Sequence, residues 1–230
     1  DGSKFISATD YYVSIWDGNT GKLQGILNDR QQLATNTQRA VISKDGSKFI
    51  SLNGGGINIW SEAEGRILYS QLDPEQYIRD ADFSPLGNKA VTLSADSMIS
   101  VLDLTPGGLI YRVPSHSESV SSAFFSPDEK LFASVEGSRA LVRDAVTGVF
   151  INQLEPGPDS VKLEEIFFSH DGKKIAATGG NFIKIWEVPS GKIVRQIRGT
   201  TGKFNKVVFN PSGDEILINE GWDSKARVVN

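Results

Sequence analysis

The seven residues DGSKFIS stand at Asp1–Ser7 and return without a change at Asp45–Ser51. An Asp-Gly pair followed by a run of β-branched and aromatic residues, too short for a helix, reads as a tight turn opening into a strand. Working outward, degenerate versions of the turn lie at Asp45-Gly46, Leu86-Gly87, Asp128-Glu129, Asp171-Gly172 and Ser212-Gly213, spaced by 41 to 43 residues. Ahead of the later turns stand ADFSP (81–85), AFFSP (123–127), IFFSH (166–170) and VVFNP (207–211), with a weaker AVISK at 40–44. After each turn comes an apolar run: KFISA, KFISL, KAVTL, LFASV, KIAAT or EILIN.

A third stretch tends to alternate, as in VSIW (13–16), INIW (57–60), ISVL (99–102), ALVR (140–143), IKIW (183–186) and ARVV (226–229). Period-2 alternation puts Val13 and Ile15 on one face and Ser14 and Trp16 on the other. A fourth stretch follows turns carrying Gly21, Gly65, Gly108, Gly148 and Gly191. Each unit is therefore four strands joined by hairpins, about 42 residues long, the length of one propeller blade. A single four-stranded sheet cannot bury both faces, and radial stacking of several such sheets protects their edges. The fold expected is all-β, a β-propeller with units near 1–29, 40–72, 80–113, 120–154, 163–198 and 204–230, treated as one domain.

Composition narrows the function. A chain of 230 residues with 39% hydrophobic and 23% charged residues is that of an ordinary soluble protein, and no run approaches the roughly 18 to 20 apolar residues of a membrane-spanning helix. No membrane partner is expected. Without a cysteine there are no disulfides or thiolate metal sites. The compartment stays open, with the cytoplasm favoured. A net charge of -4 argues against a general nucleic-acid binder, which needs a surplus of Lys and Arg on one face.

The residues resemble the WD-repeat propeller family. The resemblance rests on Val13-Ser-Ile-Trp-Asp17 preceded by Asp10, on the Phe-Ser-Pro turns, and on His116-Ser-Glu-Ser-Val120 leading to Phe125-Ser-Pro-Asp128. It covers essentially the whole chain. Members often tie a blade together with a hydrogen-bonded His, Ser or Thr, Asp and Trp set, and the resemblance implies structural roles for Asp10, Trp16, Trp60, Asp96, His116, Ser134, Trp186 and Asp223. The four never coincide in one unit. Leu102 stands where the third unit would have Trp, and Gly137 and Arg143 stand at the remaining places of the fourth. Such a degenerate pattern resembles a divergent, bacterial-type member, whose blades rest mainly on apolar packing.

In family order the chain begins at the second strand of one unit and ends at the third strand of the sixth. The expectation is a piece of a longer chain, incomplete at both ends, from a seven-bladed ring, with six blades as the alternative.

No catalytic constellation appears. His170 replaces Pro in a turn, and neither histidine lies at a zinc-ligand spacing. The run Gly54-Gly55-Gly56 joins two strands and lacks the Lys and helix of a phosphate loop. No Gly-x-Ser-x-Gly elbow is present. Catalytic residues, cofactor and metal are all expected to be absent, and the chain is read as a non-catalytic interaction scaffold or sensor module for signalling. In the family geometry, the loops leading into each innermost strand and the turns between second and third strands share one end of the ring, the usual docking surface. Tyr11, Tyr12, Arg139, Phe182 and Trp222 stand at those turns, and aromatics with Arg are types enriched at interface hot spots. The partner expected is another protein or a fused domain of the same polypeptide. The alternative is a ligand-binding or hydrolytic propeller with its site at the central channel.

Overall fold

The structure is a computed structural model. It describes all residues except 1, 9–11, 29–36, 54–55, 73–76, 106–107, 116–119, 155–161, 189, 201, 221–225 and 230, together with the side chains of 8, 12, 28, 37–38, 53, 72 and 205. The described residues form strands and turns only, in six antiparallel sheets. Sheet 1 holds β1 (Lys4–Ala8), β2 (Tyr12–Asp17) and β3 (Leu23–Asn28). Sheet 2 holds β4 (Thr37–Ile42), β5 (Lys48–Asn53), β6 (Gly56–Ser61) and β7 (Arg66–Leu72). Sheet 3 runs β8 (Ile78–Phe83), β9 (Lys89–Ser94), β10 (Met98–Asp103) and β11 (Gly108–Pro114). Sheet 4 runs β12 (Val120–Phe125), β13 (Leu131–Glu136), β14 (Arg139–Asp144) and β15 (Phe150–Gln153). Sheet 5 has β16 (Glu165–Phe168), β17 (Lys174–Gly179), β18 (Phe182–Glu187) and β19 (Ile193–Arg198). Sheet 6 has β20 (Phe204–Phe209), β21 (Ile216–Glu220) and β22 (Ala226–Val229). Neighbours in space are neighbours in sequence throughout, an up-and-down meander made by hairpins alone.

The chain divides into two compact units, Asp1–Val113 and Pro114–Asn230. Within each, the core lies between consecutive sheets. In the first unit, Val13, Ile15 and Leu27 of sheet 1 pack against Phe49 and Trp60 of sheet 2. The other face of sheet 2, with Ile50, Leu52, Ile57 and Ile59, packs against Ala81, Phe83, Ala90 and Leu102 of sheet 3. In the second unit, Ala133, Val135, Ala140 and Val142 of sheet 4 meet Ile166, Ile175, Ala177 and Trp186 of sheet 5. Ala176, Ile183 and Ile185 then meet Phe204, Val207, Ile216 and Ile218 of sheet 6. The period-2 pattern is thus used on both faces, which is why these second and third strands read as nearly unbroken apolar runs.

The repeated turn has one construction. Ser43 N–H bonds the Lys48 carbonyl at 2.9 Å, its hydroxyl donates to Asp45 Oδ1 at 2.6 Å, and Gly46 N–H returns to the Ser43 carbonyl at 2.9 Å. The equivalent hydroxyl bonds join Ser126 to Asp128 and Ser169 to Asp171, each at 2.6 Å. The residue after the acid takes a left-handed backbone, with φ +72° at Gly46 and φ +58° at Glu129, the one described unit that lacks glycine at this place. DGSKFIS recurs because this turn does.

Candidate functional site

Two loop sets meet at one end of the sheets. In the second unit, Leu163 N–H, ahead of β16, donates to the Gly137 carbonyl in the β13–β14 hairpin at 2.9 Å. Gly199 N–H, after β19, donates to the Asn181 carbonyl in the β17–β18 hairpin at 2.7 Å. In the first unit Ala95 N–H reaches the Tyr77 carbonyl at 2.9 Å in the same way. Backbone hydrogen bonds therefore tie each described hairpin between second and third strands to a loop leading into or out of a sheet, giving the loop end a fixed backbone on which side chains are displayed.

Arg139 is exposed at this end, on the β13–β14 hairpin. Phe182 is half-buried on the neighbouring hairpin, and the Arg198 guanidinium lies 5.3 Å above its ring centroid, a cation–π contact. Of the five candidate contact residues, the structure brings these two to the same end of one unit. Tyr12 opens β2 at the matching place in the other unit, and only its backbone is described. Tyr11 and Trp222 lie outside the described residues, as do Asp10, His116 and Asp223.

The remaining structural candidates hold their sheets by several different means. Trp16 Nε1 donates to Ser7 Oγ at 2.9 Å, and Trp60 Nε1 to Ser51 Oγ at 3.0 Å. Trp186 is buried in the core between sheets 4 and 5. Asp96 accepts from Ser94 Oγ and from Arg112; partial burial pushes its carboxyl up, but the Ser94 bond and then the Arg112 charge together hold it below the usual range.

Sheet 4 shows what sequence reasoning missed. Arg143, in the Trp column opposite Phe132, donates from Nη1 to Ser134 Oγ at 2.9 Å and to Glu136 Oε1 at 2.8 Å. Ser134 also donates to Glu136 Oε1 at 2.9 Å. On the loop side, Ser115 Oγ, ahead of β12, reaches Glu136 Oε2 at 3.2 Å. A glutamate ending the second strand thus catches the chain leading into its own sheet. Sheet 6 repeats the device: Glu220 accepts the Thr200 N–H from the loop before β20, and Arg227 at 3.2 Å. The available signal was positional, since Glu136 and Glu220 close the runs LFASVE and ILINE in one alignment column.

The first strands carry mixed chemistry. In the first unit, Arg39 of β4 pairs with Asp80 of β8. Asp82, two residues on, is half-buried, and burial pushes its carboxyl above the usual range while Arg39 opposes and Asp80 adds to the shift. In the second unit Ser121, Glu165, Lys206 and Val208 are exposed on β12, β16 and β20. Among the described residues no three His, Cys, Asp or Glu side chains gather closely enough to hold a metal ion.

Consecutive antiparallel sheets of three or four described strands, a Ser-Asp turn in three of the repeats and Trp-to-Ser bonds in sheets 1 and 2 are the features of a WD-repeat β-propeller. The chain belongs to the NWD2 C-terminal β-propeller family, whose sequence model matches residues 2–206. It is 26% identical to a WD repeat-containing protein of Synechocystis sp., over 59% of this chain and 39% of that protein. It is 23% identical to the transcriptional corepressor LEUNIG_HOMOLOG of Arabidopsis thaliana, over 93% of this chain and 35% of the relative. A shorter match, 31% identical over 29% of this chain and 19% of the relative, is to the human U5 small nuclear ribonucleoprotein 40 kDa protein. The chain therefore spans well under half the length of these relatives.

Proposed function

We propose that the chain is a non-catalytic scaffold that holds another protein, or another domain of its own polypeptide, on the loop end of its sheets. The observation that carries this reading is the loop end itself: Arg139 exposed, and Phe182 with Arg198 stacked beside it, on hairpins that backbone hydrogen bonds fasten to the adjoining loops. Aromatic and arginine side chains on a fixed backbone lose little conformational freedom on binding, which favours tight contact. Relatives named as a corepressor and as a ribonucleoprotein component support a role in assemblies. The untested positions Tyr11, Tyr12 and Trp222 belong to the same proposed surface. No cofactor or metal enters this reading.

The test compares quantitative affinity capture by the wild-type protein with Arg139→Ala and Phe182→Ala, and with Val146→Ser on the exposed β14–β15 turn at the opposite end. The loop-end variants lose the specific partner while keeping their thermal midpoint, and the control retains both. Equal capture by all variants would refute the proposed surface.

A further inference from the structure

Sheets 4 and 5 are both four-stranded and pack on each other within the second unit. Their loop end carries three cations in a line. Arg139 opens β14 on the hairpin whose Gly137 carbonyl takes the Leu163 N–H at 2.9 Å. Lys162, next to Leu163 in the chain, is therefore fixed beside that hairpin. It is fixed against the neighbouring hairpin too: Gly179, which closes β17, comes so near that a Cβ there would stand 2.5 Å from the Lys162 carbonyl oxygen. On that second hairpin Phe182 is the strand partner of Arg198, and Gly199 N–H bonds the Asn181 carbonyl at 2.7 Å. Arg139, Lys162 and Arg198 thus stand on successive pieces of touching backbone.

All three are exposed, and none forms an ion pair among the described residues. The carboxylates around them are mostly taken. Glu136 is held by Arg143 at 2.8 Å, Glu164 by Lys203 at 2.8 Å and Glu220 by Arg227 at 3.2 Å, which leaves Glu165 at the start of β16. Arg198 lies over the Phe182 ring, a contact that steadies the guanidinium without using its N–H donors.

We propose, resting on the scaffold reading above, that the segment held at this end is acidic: a stretch of the partner protein rich in Asp and Glu. Charge complementarity argues for that occupant. Unpaired cations at fixed backbone positions repel one another, and a run of carboxylates laid along them relieves that repulsion. The whole chain carries a net charge of -4, so an acidic segment is repelled elsewhere and drawn to this line, which orients it. A nucleic-acid strand fits less well, because phosphate binding calls for a longer basic track, whereas here three cations stand with Glu165 in the adjoining strand.

Fluorescence anisotropy on the purified chain tests this with a labelled oligoglutamate peptide, its oligoglutamine counterpart and a labelled single-stranded oligonucleotide. The glutamate peptide binds, the glutamine peptide does not, and added salt weakens the complex. Arg139→Gln and Lys162→Gln each weaken it by about twofold to fivefold, the range of one exposed ion pair, and together by about the product. Lys130→Gln, on the β12–β13 turn at the opposite end, removes the same charge without effect, and circular dichroism confirms the fold of each variant. A glutamate peptide that fails to bind, or binds no better than the glutamine peptide, overturns the acidic assignment. So does equal weakening by Lys130→Gln, or tighter binding of the oligonucleotide. The capture experiment described above separates this from the scaffold reading: a partner lost with Phe182→Ala but retained by Lys162→Gln and at high salt keeps the docking end and removes its acidic occupant.

Discussion

Arg143 and Glu136 form an ion pair of 2.8 Å with side chains only 2% and 0% exposed, and Arg143 takes the place from which Trp16 and Trp60 donate to a serine in sheets 1 and 2. Removing water from two charges costs more than most pairs return, unless hydrogen bonds satisfy what remains. Here Ser134 and Ser115 serve the glutamate, but Arg143 Nη2 has no hydrogen-bond partner among the described residues.

The pair should therefore be costly to break and cheap to replace. Arg143→Leu leaves Glu136 buried without its cation and is expected to lower stability by about 3–5 kcal/mol. The double substitution Glu136→Leu with Arg143→Leu should recover most of that loss, because it removes both desolvation costs together. Urea denaturation of the wild type, both single variants and the double variant gives the coupling. Additive effects would show that the two charges do not interact.

The Ser-Asp turn makes a prediction about protonation. The Ser43 hydroxyl is the largest influence on Asp45 and, helped by Ser47, holds its carboxyl at about 2 against an ordinary 3.8. A carboxyl depressed in the folded state favours folding above its unfolded value and loses that contribution as pH falls from there through the folded value. The Asp45 contribution is thus intact at pH 5 and lost between about pH 4 and pH 2. Ser43→Ala should raise the Asp45 midpoint toward the ordinary value, as read by carboxyl-carbon NMR titration. An unchanged midpoint would mean that the hydroxyl is not the cause. Asp128 and Asp171, lowered first by Ser126 and Ser169, should respond in the same direction to the corresponding alanines.

The same turn makes two backbone substitutions unequal. Gly87 has φ +68°, and a Cβ there would lie 3.3 Å from the Ser43 Cβ of the neighbouring turn. Gly87→Ala should cost about 1–2 kcal/mol in left-handed strain, with the close contact adding to it. Glu129 already bears that strain at φ +58°, so Glu129→Gly should relieve about 1 kcal/mol of it against the loss of a side chain only 6% exposed, and should cost less than Gly87→Ala. Thermal unfolding of the two variants distinguishes this account from one in which turn composition is neutral.

How much was legible in the sequence follows from what each feature depends on. The sheets were legible because a turn that needs a left-handed residue and a strand that needs period-2 alternation both leave local marks, as in Asp45-Gly46-Ser-Lys-Phe-Ile-Ser. The apolar interleaving of Ile50 and Phe49 onto opposite faces was legible for the same reason. The Glu136–Arg143 pair was not, because a buried charge pair is defined by two residues meeting across a strand pairing, and either one alone reads as surface. At the loop end, the position of Arg139 was legible from hairpin spacing, whereas the Arg198 contact with Phe182 depends on the β18–β19 register.

Phe5 and Phe49 occupy the same place in two copies of one heptapeptide, so identical local sequence meets different surroundings. Phe49 is enclosed by Val13, Ile15 and Leu27 of the preceding sheet, whereas Phe5 stacks on the Trp16 ring and is 47% exposed. Truncating an enclosed phenylalanine removes its transfer free energy and leaves a cavity, so Phe49→Ala should cost about 3–5 kcal/mol. Phe5→Ala removes about half the buried area and leaves no cavity, and should cost less than half as much. Both are measured by denaturant unfolding. Equal costs would mean that a surface outside the described contacts covers Phe5 as completely as sheet 1 covers Phe49.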